Sequence, residues 1–422
     1  MDSVKKVTTK LLIPCYPSNI QLCEVKIMQL TVEKNFEQSK EDKKVPSTYS
    51  RTNPFQARVL ENINLNGAGS SKETRHIELS LKESGLSYNP GDCLGIIPEN
   101  DPELVAALLD EMKWDAQEAV TINKQGDTLP LKEALTTHFE ITLLTKKVLQ
   151  LAAALTENEE LQRLVSVEKV AQLKEYIDGR DFLDLLRDFG PWNATAQEIV
   201  SLLRKMPPRL YSIASSFTAN PGEVHLTIGA VRYTAHGRDR KGVCSVLCSE
   251  RLHEGDTIPV FIQQNKHFNL PDSEDTDIIM VGPGTGIAPF RSFIQERAMN
   301  RGKGRAWLFY GDQHSATDFL YQNELEKYQK DGVLTKLDAA FSRDSDQKVY
   351  VQHKMLENSK ELFEWLEKGA YFYICGDKQY MAKDVHNTLI DVIEKEGVMT
   401  REAAEAYLND LQKQKRYQRD VY

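Results

Sequence analysis

The residues most able to carry chemistry lie in a glycine-rich turn, Gly282-Pro283-Gly284-Thr285-Gly286-Ile287-Ala288-Pro289, which separates an apolar segment from an amphipathic one. Glycines in such a turn let the backbone approach a pyrophosphate, and the following helix offers free N–H groups and a partial positive charge. Because residue 287 is isoleucine, the turn departs from the G-x-G-x-x-G pattern, and an ordinary strand-to-helix turn is the alternative. Its place in the first strand-helix unit favours nucleotide binding through Gly282, Gly284, Thr285 and Gly286.

A second group of polar residues follows a later strand-like segment. Ser342 and Arg343 come directly after it, and Lys348 and Tyr350 follow shortly. A hydroxyl, a guanidinium and an ammonium group at one strand end could bind a 2′-phosphate through charge-assisted hydrogen bonds, and the tyrosine could stack on adenine. The combination favours NADP(H) over NAD(H), with a solvated basic loop as the alternative.

Three shorter motifs add further candidate positions. In Arg209-Leu210-Tyr211-Ser212, strand alternation places Arg209 and Tyr211 on one face. Gly242-Val243-Cys244-Ser245 opens a helical segment and predicts a second anion site at a helix N-terminus. Cys375 ends a predicted strand and would lie at the sheet edge where open α/β sheets bind ligands, although a buried cysteine is usually only a small apolar side chain.

The elements that must position these residues fall into two classes. Strand-like segments before and after residues 101–204 predict an antiparallel β-barrel, and helical spacing within 101–204 predicts a helical insert. From residue 277 onward, strands alternate with helices, which predicts a doubly wound parallel sheet. The predicted fold is therefore α+β and α/β. The expected domains are an extension at 1–50, a barrel domain at 51–272 interrupted by the insert, and a nucleotide-binding domain at 273–422.

Composition limits the classes of function. The 422 residues carry 53 Lys and Arg against 62 Asp and Glu, a net charge of −9, which disfavours a general nucleic-acid-binding role. The hydrophobic share of 41% and charged share of 27% are typical of globular proteins rather than membrane bundles. The six cysteines lack metal-ligand spacing, and the N-terminus lacks the apolar core of a signal peptide. We therefore expect a soluble cytoplasmic protein with reduced thiols, no metal site and no membrane partner.

The order of these motifs, together with the C-terminal segment Arg416-Tyr417-Gln418-Arg419-Asp420-Val421-Tyr422, resembles the ferredoxin–NADP reductase-like half of the diflavin reductases, in particular the sulfite reductase flavoproteins. The likeness covers about residues 50–422. It implies FAD and NADPH as cofactors, hydride transfer from NADPH to FAD, and single-electron delivery onward. The implied acceptor is a sulfite reductase hemoprotein or a separate FMN or flavodoxin carrier, in the reduction of sulfite to sulfide.

The resemblance also implies a role for each matching residue. Arg209 would pair with the FAD pyrophosphate, Tyr211 would stack on the isoalloxazine, and Tyr422 would shield the flavin face that nicotinamide must reach. The set that orients nicotinamide and stabilises charge would be Ser212, Cys375 and Asp420. Further FAD positions would be Thr145, Leu210, Ser212, Thr227, Ile228, Gly229, Tyr233, Gly242, Val243, Cys244 and Ser245. The NADPH 2′-phosphate and adenine would be held by Ser342, Arg343, Lys348, Val349, Tyr350, Val351 and Gln352, with Asp384 nearby.

The sequence departs from the diflavin pattern at its beginning. Residues 1–50 are too short for a flavodoxin-like domain and lack a Ser/Thr-x-Thr-Gly phosphate loop. We therefore expect no FMN on this chain, and we expect a truncated or split system. Alternatives are a stand-alone flavodoxin or ferredoxin reductase, which the insert at 101–204 disfavours, and a cytochrome P450-type reductase, which Tyr422 in place of a near-terminal tryptophan disfavours. A non-catalytic electron-transfer docking module is the alternative from outside the enzymes.

Overall fold

Two sheets, one antiparallel and one parallel, organise the molecule. The computed structural model describes residues 48–156 and 158–422, and most of the predicted N-terminal extension lies outside the described residues. All described residues belong to one compact unit. The strands are β1 (Phe55–Asn64), β2 (Thr74–Ser80), β3 (Cys93–Ile96), β4 (Ala119–Thr121), β5 (Thr128–Pro130), β6 (Arg209–Ser212), β7 (Glu223–Gly229), β8 (Arg232–Ala235), β9 (Arg238–Lys241), β10 (Thr257–Gln263), β11 (Ile278–Val281), β12 (Ala306–Asp312), β13 (Lys336–Phe341), β14 (Tyr371–Gly376) and β15 (Tyr417–Val421).

The helices occupy the stretches between these strands. They are α1 (Pro102–Met112), α2 (Leu131–Glu133), α3 (Lys146–Leu155), α4 (Glu159–Leu164), α5 (Val170–Ile177), α6 (Phe182–Asp188), α7 (Ala196–Val200), α8 (Val243–Val246), α9 (Ala288–Asn300), α10 (Ser315–Asp318), α11 (Gln322–Lys330), α12 (Val351–Glu357), α13 (Ser359–Glu367), α14 (Met381–Glu396) and α15 (Arg401–Lys413). Among the described residues, no helix is both long and apolar enough to cross a bilayer.

The antiparallel sheet has the strand order β6-β3-β10-β1-β2-β7. Its strands alternate as the sequence predicts, so Ile77, Leu79, Leu226 and Ile228 point into one apolar core. The side chains between them, including Thr227, point to the opposite face of the sheet. The antiparallel part of the predicted fold is confirmed.

Helices α1 to α7 lie between β3 and β6 and share a core of their own. Side-chain caps begin several of them: the Asp101 carboxylate accepts from Glu103 N–H, and the Thr145 hydroxyl accepts from Val148 N–H. The sequence patterns do not predict α6. Five of its seven residues, from Phe182 to Leu186, are buried, so the segment lacks the amphipathic period that identifies a surface helix.

The parallel sheet has the order β13-β12-β11-β14-β15. Ile279 and Val281 pack on one side against α12, α13, α14 and α15, while Ile278 and Met280 pack on the other side against α9 and α11. Helices on both faces make the sheet doubly wound, which confirms the predicted α/β class. The sequence patterns do not predict the edge strand β15, because Gln418, Arg419 and Asp420 give it no apolar run.

Candidate functional site

A cleft of about 1350 Å³ opens between the antiparallel sheet and the carboxyl ends of the parallel strands. This volume exceeds the roughly 300–1,000 Å³ of common small-molecule pockets, so the cleft suits long ligands such as dinucleotides. Its lining combines the sequence motifs from both halves. The predicted residues that line it are Arg209, Leu210, Tyr211, Ser212, Thr227, Gly229, Gly242, Val243, Cys244, Ser245, Gly284, Thr285, Ser342, Tyr350, Val351, Gln352, Asp384 and Tyr422.

Ser212, Asp420 and Cys375 meet beside this cleft. The Ser212 hydroxyl donates to Asp420 Oδ2 at 2.6 Å, and Cys375 Sγ lies 4.0 Å from the same oxygen. Parallel pairing of β14 with β15 sets Cys375 opposite Asp420. Burial raises the pKa of Asp420 against the opposing effect of the serine hydrogen bond, and burial together with the Asp420 charge raises the pKa of the Cys375 thiol well above its usual range. The thiol is therefore protonated, and the cluster is suited to orientation and charge stabilisation rather than nucleophilic attack.

Cys93 is a member of this neighbourhood that the sequence analysis did not single out. It lies opposite Ser212 in the pairing of β3 with β6. Burial, with the charges of Asp420 and Asp92, raises the pKa of its thiol to about 12. A second neutral thiol thus flanks the serine. The strand pairing that brings it there has no local sequence signal.

Arg209 is held at the cleft by the helical region. Its Nη2 lies 2.8 Å from Glu140 Oε2, and its Nη1 donates to the Pro207 carbonyl oxygen at 2.7 Å. The Glu140 side chain is fully buried, and it also accepts from the Thr142 hydroxyl. Because a guanidinium has five donors, these contacts orient Arg209 and leave donors for an anionic ligand.

The glycines of the turn have two roles: some allow close packing of the backbone, and one lines the cleft. A Cβ on Gly282 would lie 2.5 Å from the Gly286 carbonyl oxygen, and one on Gly286 would lie 2.2 Å from the Cys375 carbonyl oxygen. Gly284 adopts a left-handed φ of 56° and lines the cleft with Thr285. A 3₁₀ turn over Gly284–Ile287 links the glycines to α9, which begins at Ala288, at the end of the turn as the sequence analysis expected.

Tyr422 covers the turn from the C-terminus. Its hydroxyl lies 2.9 Å from Thr285 Oγ1, and its backbone N–H donates to the Gly376 carbonyl oxygen at 3.2 Å. The side chain is nevertheless 63% exposed. An aromatic ring so placed can shield the cleft and move without unfolding the sheet.

Lys72 is a cationic lining residue that the sequence analysis missed. It precedes β2, and its Nζ lies 2.5 Å from Oδ1 of Asp312, whose side chain is almost fully buried. A Cβ on Gly284 would lie 3.7 Å from the same nitrogen. The antiparallel half therefore places a positive charge beside the glycine turn of the parallel half.

Only some of the residues predicted to hold the 2′-phosphate and adenine of NADPH line the cleft. Ser342 donates its N–H to the Asp312 carbonyl oxygen at 2.9 Å, and Gln352 Nε2 lies 3.4 Å from Asp384 Oδ2. Arg343 and Lys348 are exposed and do not line the cleft. The other predicted residues outside the lining are Thr145, which caps α3; Ile228, in the apolar core of the antiparallel sheet; Tyr233, on the β8–β9 hairpin; Val349, against the apolar core; the buried Gly282, Gly286 and Cys375; and the half-buried Asp420.

Comparison with known proteins identifies both halves. Residues 47–247 match the FAD binding domain family, and residues 280–387 match the oxidoreductase NAD-binding domain family. The chain is 67% identical over 376 residues to the sulfite reductase [NADPH] flavoprotein alpha-component of Bacillus subtilis, covering 89% of this chain and 62% of the relative. The alpha-components of Photobacterium profundum and Vibrio cholerae serotype O1 (El Tor Inaba) are 45% and 47% identical over the same share of this chain, covering 61% and 60% of those relatives.

The matches bear directly on the sequence analysis. The predicted FAD-binding part, a part that binds NAD(P), and the resemblance to the sulfite reductase flavoproteins are confirmed. The chain spans about three fifths of the length of the curated relatives it matches.

Proposed function

We propose that this chain, a member of the flavoprotein reductases that join an FAD-binding domain to an oxidoreductase NAD-binding domain, oxidises NADPH by hydride transfer to FAD and passes electrons singly to another protein. One observation carries the proposal. Ser212, on a strand of the antiparallel half, and Asp420, on the last strand of the parallel half, are hydrogen-bonded at 2.6 Å beside one long cleft. The groups that would handle flavin and nicotinamide thus meet at one point.

The lining of the cleft supports the binding of both nucleotides. Gly284 in its left-handed conformation leaves backbone room for a pyrophosphate, and Lys72 supplies a cation beside it. Arg209, oriented by Glu140, would hold the diphosphate of FAD, and Tyr211 would lie against its ring. Ser342 and Gln352 would hold the 2′-phosphate end of NADPH, with Arg343 and Lys348 reaching inward from their exposed positions.

The protein's part in the reaction is positioning and charge stabilisation. When bound, NADPH supplies the hydride and FAD accepts it and releases electrons one at a time. Ser212 directs its hydroxyl hydrogen to Asp420, so the carboxylate is kept in place for positive charge that develops on the nicotinamide side. Cys375, protonated and buried, fills the space behind them without competing as a nucleophile. Tyr422, which lines the cleft, would exclude water from the flavin face and would have to move aside for nicotinamide.

The wider role follows from the relatives. Their names describe flavoprotein components of an NADPH-dependent sulfite reductase. We propose the same setting for this chain, in the cytoplasm, with a sulfite reductase hemoprotein or a separate FMN or flavodoxin carrier as the electron acceptor. The proposed limits are 51–272 for the FAD-binding domain, with 101–204 as its helical insert, and 273–422 for the NADP-binding domain.

An anaerobic titration of the purified chain with NADPH tests the central step. We expect one FAD per chain, no FMN in the extracted cofactor, and loss of the visible flavin band in proportion to added NADPH. Ferricyanide should then restore the band, because it accepts single electrons. A colourless protein that stays unreduced when FAD is added would refute the proposal. Reduction without transfer to either a hemoprotein or a flavodoxin would refute only the proposed partners.

A further inference from the structure

A buried polar network joins the outer face of the antiparallel sheet to the parallel half. In the pairing of β2 with β7, His76 lies opposite Thr227 and Glu78 lies opposite His225. His76, Thr227 and His225 are each only 4% exposed, although they point away from the apolar core of the sheet. Tyr321, which immediately precedes α11, covers them. Its hydroxyl lies 2.9 Å from His76 Nδ1 and 2.7 Å from Thr227 Oγ1.

The hydrogen bonds of this network run in one direction. His76 Nε2 lies 3.1 Å from Glu78 Oε1, and a carboxylate only accepts, so the hydrogen is on Nε2. Burial and the nearby Arg291 lower the pKa of His76 to about 4, so the imidazole is neutral and Nδ1 accepts from the Tyr321 hydroxyl. The Tyr321 oxygen then accepts from Thr227. The hydroxyl hydrogen of Thr227 is thereby directed away from the cleft that Thr227 lines.

The same cluster does not suit a cation. Ligand atoms of His76, Glu78 and His225 lie within 4.8 Å of one another, as in a metal site. However, Nη1 of the buried Arg291 lies 3.3 Å from His225 Nδ1 and donates to the Ala214 carbonyl oxygen at 2.8 Å. A fixed positive charge therefore occupies the place where a cation would need carboxylate and imidazole lone pairs.

The backbone at Tyr321 is shaped for this contact. Its φ of 56° and ψ of 25° are left-handed, a conformation that is strained for a bulky residue. The Arg291 guanidinium lies 4.8 Å from the centre of its ring. The surrounding contacts thus hold a strained residue with its hydroxyl against Thr227.

We propose that Tyr321 is a positioning residue for FAD, which orients Thr227 so that its oxygen accepts a hydrogen bond from a donor group of the flavin nucleotide. The inference rests on the proposed function, because it takes FAD as the ligand of the cleft. With its hydrogen given to Tyr321, the Thr227 oxygen faces the cleft as an acceptor. Ionised phosphates offer no hydrogen to it. The partner is therefore a hydroxyl or N–H group of FAD.

A double-mutant cycle on the full chain tests this, with the FAD dissociation constant measured by flavin fluorescence. Tyr321→Phe keeps the ring and removes the hydroxyl, and we expect it to raise the dissociation constant about fivefold, the usual effect of one lost neutral hydrogen bond. Thr227→Val should raise it at least as much, and Thr227→Ser should not. In the Thr227→Val background, Tyr321→Phe should have no further effect, because Tyr321 acts through Thr227. Tyr328→Phe, which removes a hydroxyl from α11, is the matched control.

Two further readouts separate positioning from a general loosening of the structure. The KM for NADPH should stay unchanged in Tyr321→Phe. Additive effects in the cycle, or a parallel rise in the KM for NADPH, would overturn the inference. If Tyr321→Phe does not fold, equal FAD affinity of Thr227→Val and Thr227→Ser would overturn it as well. Failure of the unaltered chain to bind FAD would instead refute the proposed function, whereas normal FAD binding with an unaffected Tyr321→Phe variant would refute this inference alone.

Discussion

A variant of Lys72 can distinguish the pyrophosphate part of the proposed NADPH site from the part that would bind the 2′-phosphate. Lys72 lies beside the glycine turn, where both NADPH and NADH would place their pyrophosphate. Replacing it with glutamine removes a positive charge and keeps much of the side-chain length. We therefore expect Lys72→Gln to weaken NADPH and NADH by the same factor.

The magnitude follows from the surroundings of the ammonium group. A unit charge about 4 Å from another contributes about 4 kcal/mol at an effective dielectric constant of about 20. Asp312 already neutralises part of this charge at 2.5 Å, and the Lys72 side chain is 33% exposed. A single charge-assisted hydrogen bond, about 1.5 kcal/mol, is the better measure, and it corresponds to about a tenfold rise in KM.

Steady-state reduction of ferricyanide, with each nucleotide in turn, provides the assay. Lys72→Arg should retain most of the affinity, and Lys327→Gln, which removes a lysine that is 72% exposed on α11, is the matched control. Thermal unfolding should accompany the kinetics, because the variant leaves Asp312 without its cation. An effect on NADPH alone would mean that Lys72 senses the 2′-phosphate, and no effect on either nucleotide would refute the assignment.

Four further predictions concern selectivity and pH. The double variant Arg343→Ala/Lys348→Ala should raise the KM for NADPH at least tenfold and that for NADH little, since only NADPH carries the 2′-phosphate; equal changes in steady-state kinetics would contradict this. Deleting Tyr422 should increase the rate with NADH relative to NADPH because it uncovers the flavin face, and an unchanged rate ratio would argue against shielding. Burial lowers the pKa of His76 to about 4, so the folded state binds its proton less tightly than the unfolded chain, and stability should fall by roughly 3 kcal/mol as pH drops from about 6.5 to 4; thermal unfolding of His76→Gln should show a shallower fall, and an identical slope would contradict the shift. Burial raises the pKa of Asp420, so its ionisation costs stability as pH rises from the unfolded value of about 3.9 through the raised one; in melting curves over that range, Asp420→Asn should lose less stability than the unaltered chain, and parallel losses would count against a buried carboxylate.

The local motifs can be predicted from the sequence because each depends on neighbouring residues. The glycine turn needs Gly284 for a left-handed backbone and its flanking glycines for close packing, and these requirements act within a few residues. Arg209 to Ser212 alternate along one strand, so their two faces follow from the period of two. The strand-helix alternation after residue 277 predicts the parallel sheet for the same reason.

The edge strand β15 and the buried helix α6 are harder to predict from the sequence. β15 has a polar sequence and is a strand because β14 pairs with it, and α6 is buried on most of its surface. The resemblance assigns Thr145 and Tyr233 to FAD, yet the structure places one at a helix cap and the other on an exposed hairpin, outside the lining of the cleft. Sequence patterns and the family resemblance assign roles to positions along the chain. They do not show which surfaces of the folded protein face each other.

Residue order was enough to predict the two classes of sheet, the nucleotide turn and the pairing of an FAD part with an NADP part, because backbone conformation and hydrophobic period depend on residues close along the chain. Packing of the folded chain was needed to show that Lys72 faces Asp312, that Cys93 flanks Ser212, and that Tyr321 holds Thr227. Each of these contacts joins residues that are far apart in the chain, and each forms only when whole strands and helices have come together. Long-range contacts depend on how all of those elements pack together, and a local sequence pattern does not contain that information.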